Sequence, residues 1–300
     1  MKRVFIQLNV AILLLLTLSF QCMGADTYTL NYKLETGKTY KQNMVTVMNM
    51  KMNVMGQDMS MDMTQEMGLQ YDVVGNNNGV FDIKTTYQKI KMNMTSPAPF
   101  TIDSDSPENS TDVSLGKVFK SLVGVPLNIQ LAQNGKVLSV TGVDKLAAKM
   151  DSIDNPQYKQ MFGQQFSEKA IQATFERMSS FFPEKPVAIG DTWDVSMSIN
   201  SSGIDIISKM KITLKEVKDN VASLEYTGTL ATPEGGSALQ IQGMDATVSM
   251  TGEQTGTASI DMKTGWTVRA ELTQNSTQEI GISGQSMEQK IETKTTVTGE

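Results

Sequence analysis

Apolar and polar positions alternate with period two over most of this chain, the pattern of strands that bury one face. The clearest stretch is built from methionine. Met44, Met48, Met50 and Met52 alternate with polar or small residues, and Met59, Met61, Met63 and Met67 repeat the pattern after Met55-Gly56. A tight turn at Met55-Gly56 pairs Met52 with Met59, Met50 with Met61, Met48 with Met63 and Met44 with Met67. Residues directly opposite in an antiparallel pair share a face, so this hairpin is expected to carry a ribbon two thioethers wide, its side chains mostly buried. A slip of one residue would turn one strand's methionines to the other side.

The same reading extends outward. Tyr28, Leu30, Tyr32 and Leu34 predict a first strand ending at Thr36-Gly37. The hairpin strands run from about Thr39 to Val54 and from Asp58 to Val74, long for a globular protein. Gly75-Asn76-Asn77-Asn78-Gly79 is a turn signal. Phe81, Ile83 and Tyr87 then hold odd positions, whereas Ile90, Met92 and Met94 hold even ones. The change of parity predicts a β-bulge near Gln88-Lys89, which brings Met92 and Met94 onto the methionine face beside Met61 and Met59.

The middle of the chain changes period. Thr95 to Thr111 is rich in Ser, Pro, Asp and Thr and predicts a surface loop. Leu115, Val118, Phe119 and Leu122 fall at helical spacing, and Asn134-Gly135 between two short apolar runs predicts a hairpin. Helices are expected at Val143–Met150 and about Gln157–Ser180. In the latter Ile171, Phe175, Met178 and Phe182 form one stripe that stops at Pro183. That stripe must be buried, and the methionine face is the largest apolar surface on offer. From Thr192 onward alternation returns at Trp193-Val195-Met197-Ile199, Met210-Ile212-Leu214, Ala222-Leu224-Tyr226, Ala246-Val248-Met250 and Trp266-Val268-Ala270-Leu272. The expected fold is mainly β (α+β): a long curved antiparallel sheet or half-barrel with a central helical insertion packed on its apolar face. Its parts are a β-half at 27–95, a loop and helical insertion at 96–182, and a β-half at 187–299, within one domain spanning 25–300. The two β-halves suggest a loose duplication without a fixed repeat.

Lys2 and Arg3 precede a leucine-rich run, Ile12 to Leu18, and Gly24-Ala25 offers a cleavage site. This is the pattern of a secretory signal over residues 1–24. It predicts a periplasmic or extracellular protein; a lipid anchor on Cys22 is the lesser alternative, because Ser19-Phe20-Gln21 departs from the usual lipoprotein pattern. The net charge of −6 becomes more negative once Lys2 and Arg3 are removed. With no basic cluster, nucleic acid and anionic membrane surfaces are not expected partners.

The chain has no histidine and one cysteine, which excludes the His- and Cys-based triads and the common zinc sites. Its carboxylates are scattered, so the sequence predicts no enzyme, no catalytic residue and no cofactor. Asp103, Asp105, Glu108 and Asp112 lack the spacing of a calcium loop and predict a solvated acidic segment. Gly190-Asp191 predicts a turn into a strand whose Trp193 faces the core.

The run Pro183-Glu-Lys-Pro-Val-Ala-Ile-Gly-Asp-Thr-Trp193 resembles a family of exported bacterial proteins known only as a domain of unknown function. The resemblance also takes in Tyr32, Leu34, Gly37 and Tyr40, the Met-rich hairpin, and Asp261-x-Lys-Thr-Gly265. It implies an architecture similar to the lipoprotein-carrier and lipid-binding half-barrels, in which a curved sheet wraps helices over an apolar cavity. It carries over no catalytic residue.

Three uses of the methionine face remain. Met fills irregular core space, so a closed Met-rich core in a structural or protein-interaction module is one. Met has weaker strand propensity than Val or Ile, so its repetition also suits adaptable packing against a guest. On that reading Met44, Met48, Met50, Met52, Met59, Met61, Met63, Met67, Met92 and Met94 line a site for a lipid or other apolar ligand. This carrier is the functional reading taken forward, with an envelope partner protein left open. The third is Cu(I), which thioethers favour, although a stripe this long and regular exceeds what a metal site needs.

Overall fold

The computed structural model describes residues 26–300 apart from 55, 56, 97, 164, 165, 202, 242, 243, 283 and 284. The signal segment with Cys22 and the Met55-Gly56 turn therefore lie outside the described residues. The strands are β1 (Thr27–Tyr28), β2 (Thr39–Val54), β3 (Gln57–Asn77), β4 (Val80–Met94) and β5 (Phe100–Asp103). Next come α1 (Val113–Leu122), β6 (Pro126–Ala132), β7 (Val137–Thr141), α2 (Val143–Met150), α3 (Pro156–Gly163) and α4 (Glu168–Ser179). The second strand series is β8 (Val187–Ala188), β9 (Thr192–Ser201), β10 (Ile204–Lys218) and β11 (Val221–Ala231). It ends with β12 (Ser237–Ile241), β13 (Met244–Asp261), β14 (Thr267–Ile282) and β15 (Gln285–Gly299).

Thirteen strands form one antiparallel sheet in the order β7-β6-β4-β3-β2-β15-β14-β13-β11-β10-β9, with β5 added beside β4 and β12 beside β13. The sheet is not closed into a barrel. Its strands are long: β13 has 18 residues, roughly 60 Å at the usual rise. The β15–β2 ladder, from Gln289↔Met52 to Gly299↔Gln42, joins the two β-halves. Helix α4 contacts both β7 and β9, the outermost strands of the path. The sheet therefore curves far enough to bring both margins onto one helix.

Close backbone approach makes this strap possible. Ser179 and Ser180 both donate their hydroxyls to the Gly135 carbonyl, at 2.6 and 2.8 Å. Gly135 has φ +88°, and a Cβ there would run into the Ser179 carbonyl. On the opposite margin the Trp193 indole N–H donates to Phe181 O at 2.9 Å. Asp191 forms the expected turn, its carboxylate accepting from Ala188 N at 2.8 Å.

The core fills this strapped end. Tyr32, Tyr40, Tyr71, Phe175, Phe182 and Trp266 pack edge to face or tilted, with ring centroids 4.9–6.3 Å apart. Burial pushes the Tyr87 hydroxyl up to about 12 and raises that of Tyr71 well above its usual range. Leu214, Leu224 and Ile260 from the second β-half join the same cluster as Leu69, Phe81 and Leu127 from the first.

Several expectations need correction. The Tyr28–Leu34 alternation correctly marks burial, since Leu30, Tyr32 and Leu34 are all buried, but only Thr27–Tyr28 is a strand, and it pairs with β8. Residues beyond Tyr28 cross the end of the sheet instead. Tyr32 N donates to Gln133 O and Lys33 N to Thr264 O, so the segment is fixed to two loops rather than to a ladder. The helix expected over Gln157–Ser180 is two: α3 ends at Gly163, and Ser167 caps α4 by accepting from Ala170 N at 3.3 Å. Helix α4 stops at Ser179, before Pro183, although Phe182 remains buried. Val268 is 41% exposed because it is the extra residue between Ser259↔Arg269 and Ile260↔Thr267.

The acidic loop is partly strand. β5 pairs with β4 from Met94↔Phe100 to Lys91↔Asp103. Asp103 is buried, not solvated. Burial pushes its carboxyl up, but the N–H groups of Ser106 and Asp105 and the Lys91 ammonium, 3.1 Å away, outweigh that and hold it below its usual value.

Candidate functional site

The methionine hairpin has the register that its sequence symmetry predicts. β2 and β3 pair Met44↔Met67, Met48↔Met63, Met50↔Met61 and Met52↔Met59, closing on Val54↔Gln57. The bulge falls at Gln88, skipped between Gly68↔Lys89 and Leu69↔Tyr87. It returns Met92 and Met94 to the methionine face, but opposite Gln65 and Met63 rather than beside Met61 and Met59. All ten predicted residues thus share one face of three adjacent strands.

That face belongs to a larger one. Following the ladders outward, Ile291, Thr293 and Val297 on β15 lie beside the methionines of β2. Leu272 and Ala270 on β14, Ala258 and Met250 on β13, and Leu224 and Leu230 on β11 continue it. It reaches Ile212 on β10 and Trp193 on β9. At the strapped end it is the core. Among the described residues, no inward position on β2, β3, β4, β15, β14, β13, β11, β10 or β9 carries Asp, Glu, Lys or Arg. The charges lie on the other side, for example Lys51, Asp62, Glu66, Glu253, Glu271, Glu292 and Lys294.

The methionines are less covered than expected. Met92 is 9% exposed, whereas Met44, Met48, Met50, Met52, Met61, Met63, Met67 and Met94 are half-buried and Met59 is 38% exposed. The reason is where the helices sit. Phe175 packs on Tyr71, and Met178 faces the same cavity of about 30 Å³ as Tyr71, Gln42 and Trp266. Phe162 and Phe166 pack edge to face on Phe119. The Ile171-Phe175-Met178-Phe182 stripe therefore covers the tyrosine end of the sheet and leaves the methionine ribbon beyond it. Met63 and Met67 reach the margin of the core. Toward the far end of the opposite wall, Ile199, Ile206 and Leu230 form a small separate cluster joined by Ile204 and Met250.

β12 and β15 lie outside the strands expected from alternation. β15 was recoverable: Met287, Gln289, Ile291, Thr293, Thr295 and Val297 alternate with Glu288, Lys290, Glu292 and Lys294. Among the described residues no group of three or more His, Cys, Asp or Glu could hold a metal ion, and no helix is long and apolar enough to cross a membrane.

The fold is similar to a solved structure described as lipid–protein interactions in lipovitellin, with 10% identity and a TM-score of 0.49. The match covers 89% of this chain and 25% of the other, so the chain spans about a quarter of that protein's length. The translocator domain of the autotransporter NalP from Neisseria meningitidis matches 89% of both chains at 6% identity and a TM-score of 0.22. OpdQ from Pseudomonas aeruginosa matches 88% of this chain and 97% of its own at 6% identity and a TM-score of 0.18. At such identities and scores these likenesses carry no functional argument. No curated protein is similar to the sequence. A family model spans residues 78–267, from the turn after β3 through the helices to the first residue of β14, which is more than half of the chain; the protein belongs to the family of unknown function DUF6263.

Proposed function

We propose that this is an exported, non-enzymatic protein that binds or carries an apolar, lipid-like ligand on its methionine-lined inner face. The observation that carries this reading is an uncharged sheet face that continues past the helices as a half-buried apolar surface. Burying a Met side chain is worth ~1.5–3 kcal/mol, so a ribbon of half-buried methionines leaves apolar surface that a guest can cover. Thioether side chains are unbranched and polarisable and repack around guests of different shape. The closed-core alternative requires the ribbon to be sealed, and the half-buried methionines speak against it. Export rests on the Lys2-Arg3 start and the Ile12–Leu18 run.

Native mass spectrometry of protein purified from its own envelope tests this directly. The expected result is an adduct of lipid mass that is released by organic solvent. Protein that is ligand-free as purified and takes up no acyl ligand in titration would return the face to the closed-core reading. Uptake of Cu(I) alone would instead favour the metal.

A further inference from the structure

The inner face is uncharged, but it is not uniformly apolar. A stepped row of uncharged hydrogen-bonding side chains crosses it: Gln65, Thr46, Thr295, Gln274, Gln254 and Ser208. Gln65 is opposite Thr46, and Thr46 is opposite Thr295 with their hydroxyl oxygens 3.1 Å apart. Gln274 lies one strand further, opposite Thr293, and its Nε2 donates to Gln254 Oε1 at 3.1 Å. Gln254 Nε2 donates in turn to Ser208 Oγ at 2.7 Å. It reaches diagonally across β11, past Gly228, which faces Gln254 without a side chain; Ser208 itself is opposite Leu230.

One end of this row is sealed and the other is accessible. Ser208 and Gln254 are each 2% exposed, whereas Gln274, Thr295, Thr46 and Gln65 are half-buried. The buried pair fixes the Gln274 amide in place. An amide has two donor hydrogens and an acceptor oxygen, so Gln274 keeps one N–H and its carbonyl for another partner. Nearer the β14–β15 turn, Gln278, 7% exposed, adds a further uncharged amide to the same face. Purely apolar packing has no use for such groups, since burying an amide without a partner is costly.

Resting on the carrier reading above, we infer that the ligand is an uncharged amphiphile of the acylglycerol kind. Its neutral hydroxyl or ester groups meet the row at Gln274, Thr295 and Thr46, and its chains run along the methionine ribbon. A carboxylate or phosphate on this face would find no cation to pair with, and an unpaired ion is far more costly to bury than a neutral polar group.

The test uses the purified full-length protein and three fluorescent probes: a diacylglycerol, a long-chain fatty acid, and a hydrocarbon without hydrogen-bonding groups. At about pH 8, where a carboxylic acid is ionised, the diacylglycerol is expected to bind at least about tenfold tighter than the fatty acid. Lowering the pH to about 5 should narrow that gap by strengthening fatty-acid binding alone. Gln274→Leu should weaken diacylglycerol binding by about two- to tenfold, as for one lost hydrogen bond, with hydrocarbon binding unchanged. Thr295→Val preserves shape and makes the same comparison if Gln274→Leu disturbs folding. Fatty acid binding as tightly as diacylglycerol at about pH 8 would overturn this inference while leaving the carrier reading intact. An equal loss of hydrocarbon and diacylglycerol binding in Thr295→Val would overturn it too. Failure of all three probes to bind would overturn both.

Discussion

Two residues on the same face, Met50 and Met92, separate the parts of the sheet that are open from those that are sealed. Met92 is 9% exposed and Met50 is half-buried. A lysine at position 92 would place an ammonium among apolar neighbours and should cost roughly 3 kcal/mol or more. At position 50 the same change should cost no more than about 1 kcal/mol, because water reaches the charge, yet it should abolish binding of apolar probes. Urea denaturation of both variants, combined with probe titration, checks the pair; equal destabilisation would mean that the ribbon is sealed. Asp103 gives a pH-dependent counterpart. Its folded-state carboxyl titrates below its usual value, so its stabilising contribution is complete above the unfolded value, about 4. It is lost as pH falls through the folded one. The stability difference between wild type and Asp103→Asn should therefore be present at about pH 7 and shrink near pH 3. A difference constant with pH would mean that the Lys91 and backbone partners do not favour the ionised form.

Among the elements, α4 has the most consequence for its length, because it touches both margins of the sheet. Phe175 is 5% exposed and packs on Tyr71. Phe175→Ala should cost on the order of 3–5 kcal/mol, and a loss below about 1 kcal/mol in reversible denaturation would mean a loosely docked helix. Gly135→Ala attacks the same strap from the β7 side, since its Cβ would collide with the Ser179 backbone at a positive φ. It should lower stability without altering the methionine face, so apolar probe binding per folded molecule should be unchanged. The hairpin register was legible because two methionine series are symmetric about Met55-Gly56, and period two leaves a strand only two facings. The Gln88 bulge was legible for the same reason, as a change of parity. The division of α3 from α4 was written only weakly, in Gly163, in Ser167, and in Phe162, which at helical spacing falls on the face opposite Ile171.

Across the whole molecule, the β15–β2 ladder and a core drawn from both β-halves make the sheet one unit. Trp193 lies at one margin and Trp266 is buried beside Tyr40 and Tyr71. Unfolding followed by tryptophan fluorescence and by far-UV circular dichroism should therefore give coincident transitions. Two separated transitions would mean that the β-halves unfold independently.

The sequence by itself determined which residues share a face, because alternation with period two and the β-turn signals are local properties of the chain. It thereby specified the pairing of Met44 through Met67 and the face, though not the register, of Met92 and Met94. What only the tertiary structure decided is how much of that face is covered. Alternation marks Tyr71 and Met50 alike as inward-facing, yet Phe175 covers one and leaves the other half-buried. That outcome depends on where α4 is held by Gly135 and Trp193, contacts far apart in the chain. The row from Gln65 to Ser208 is decided in the same way, since its members come from β2, β3, β10, β13, β14 and β15 and meet only when the ladders align them. Burial is set by long-range packing, and no local period encodes it.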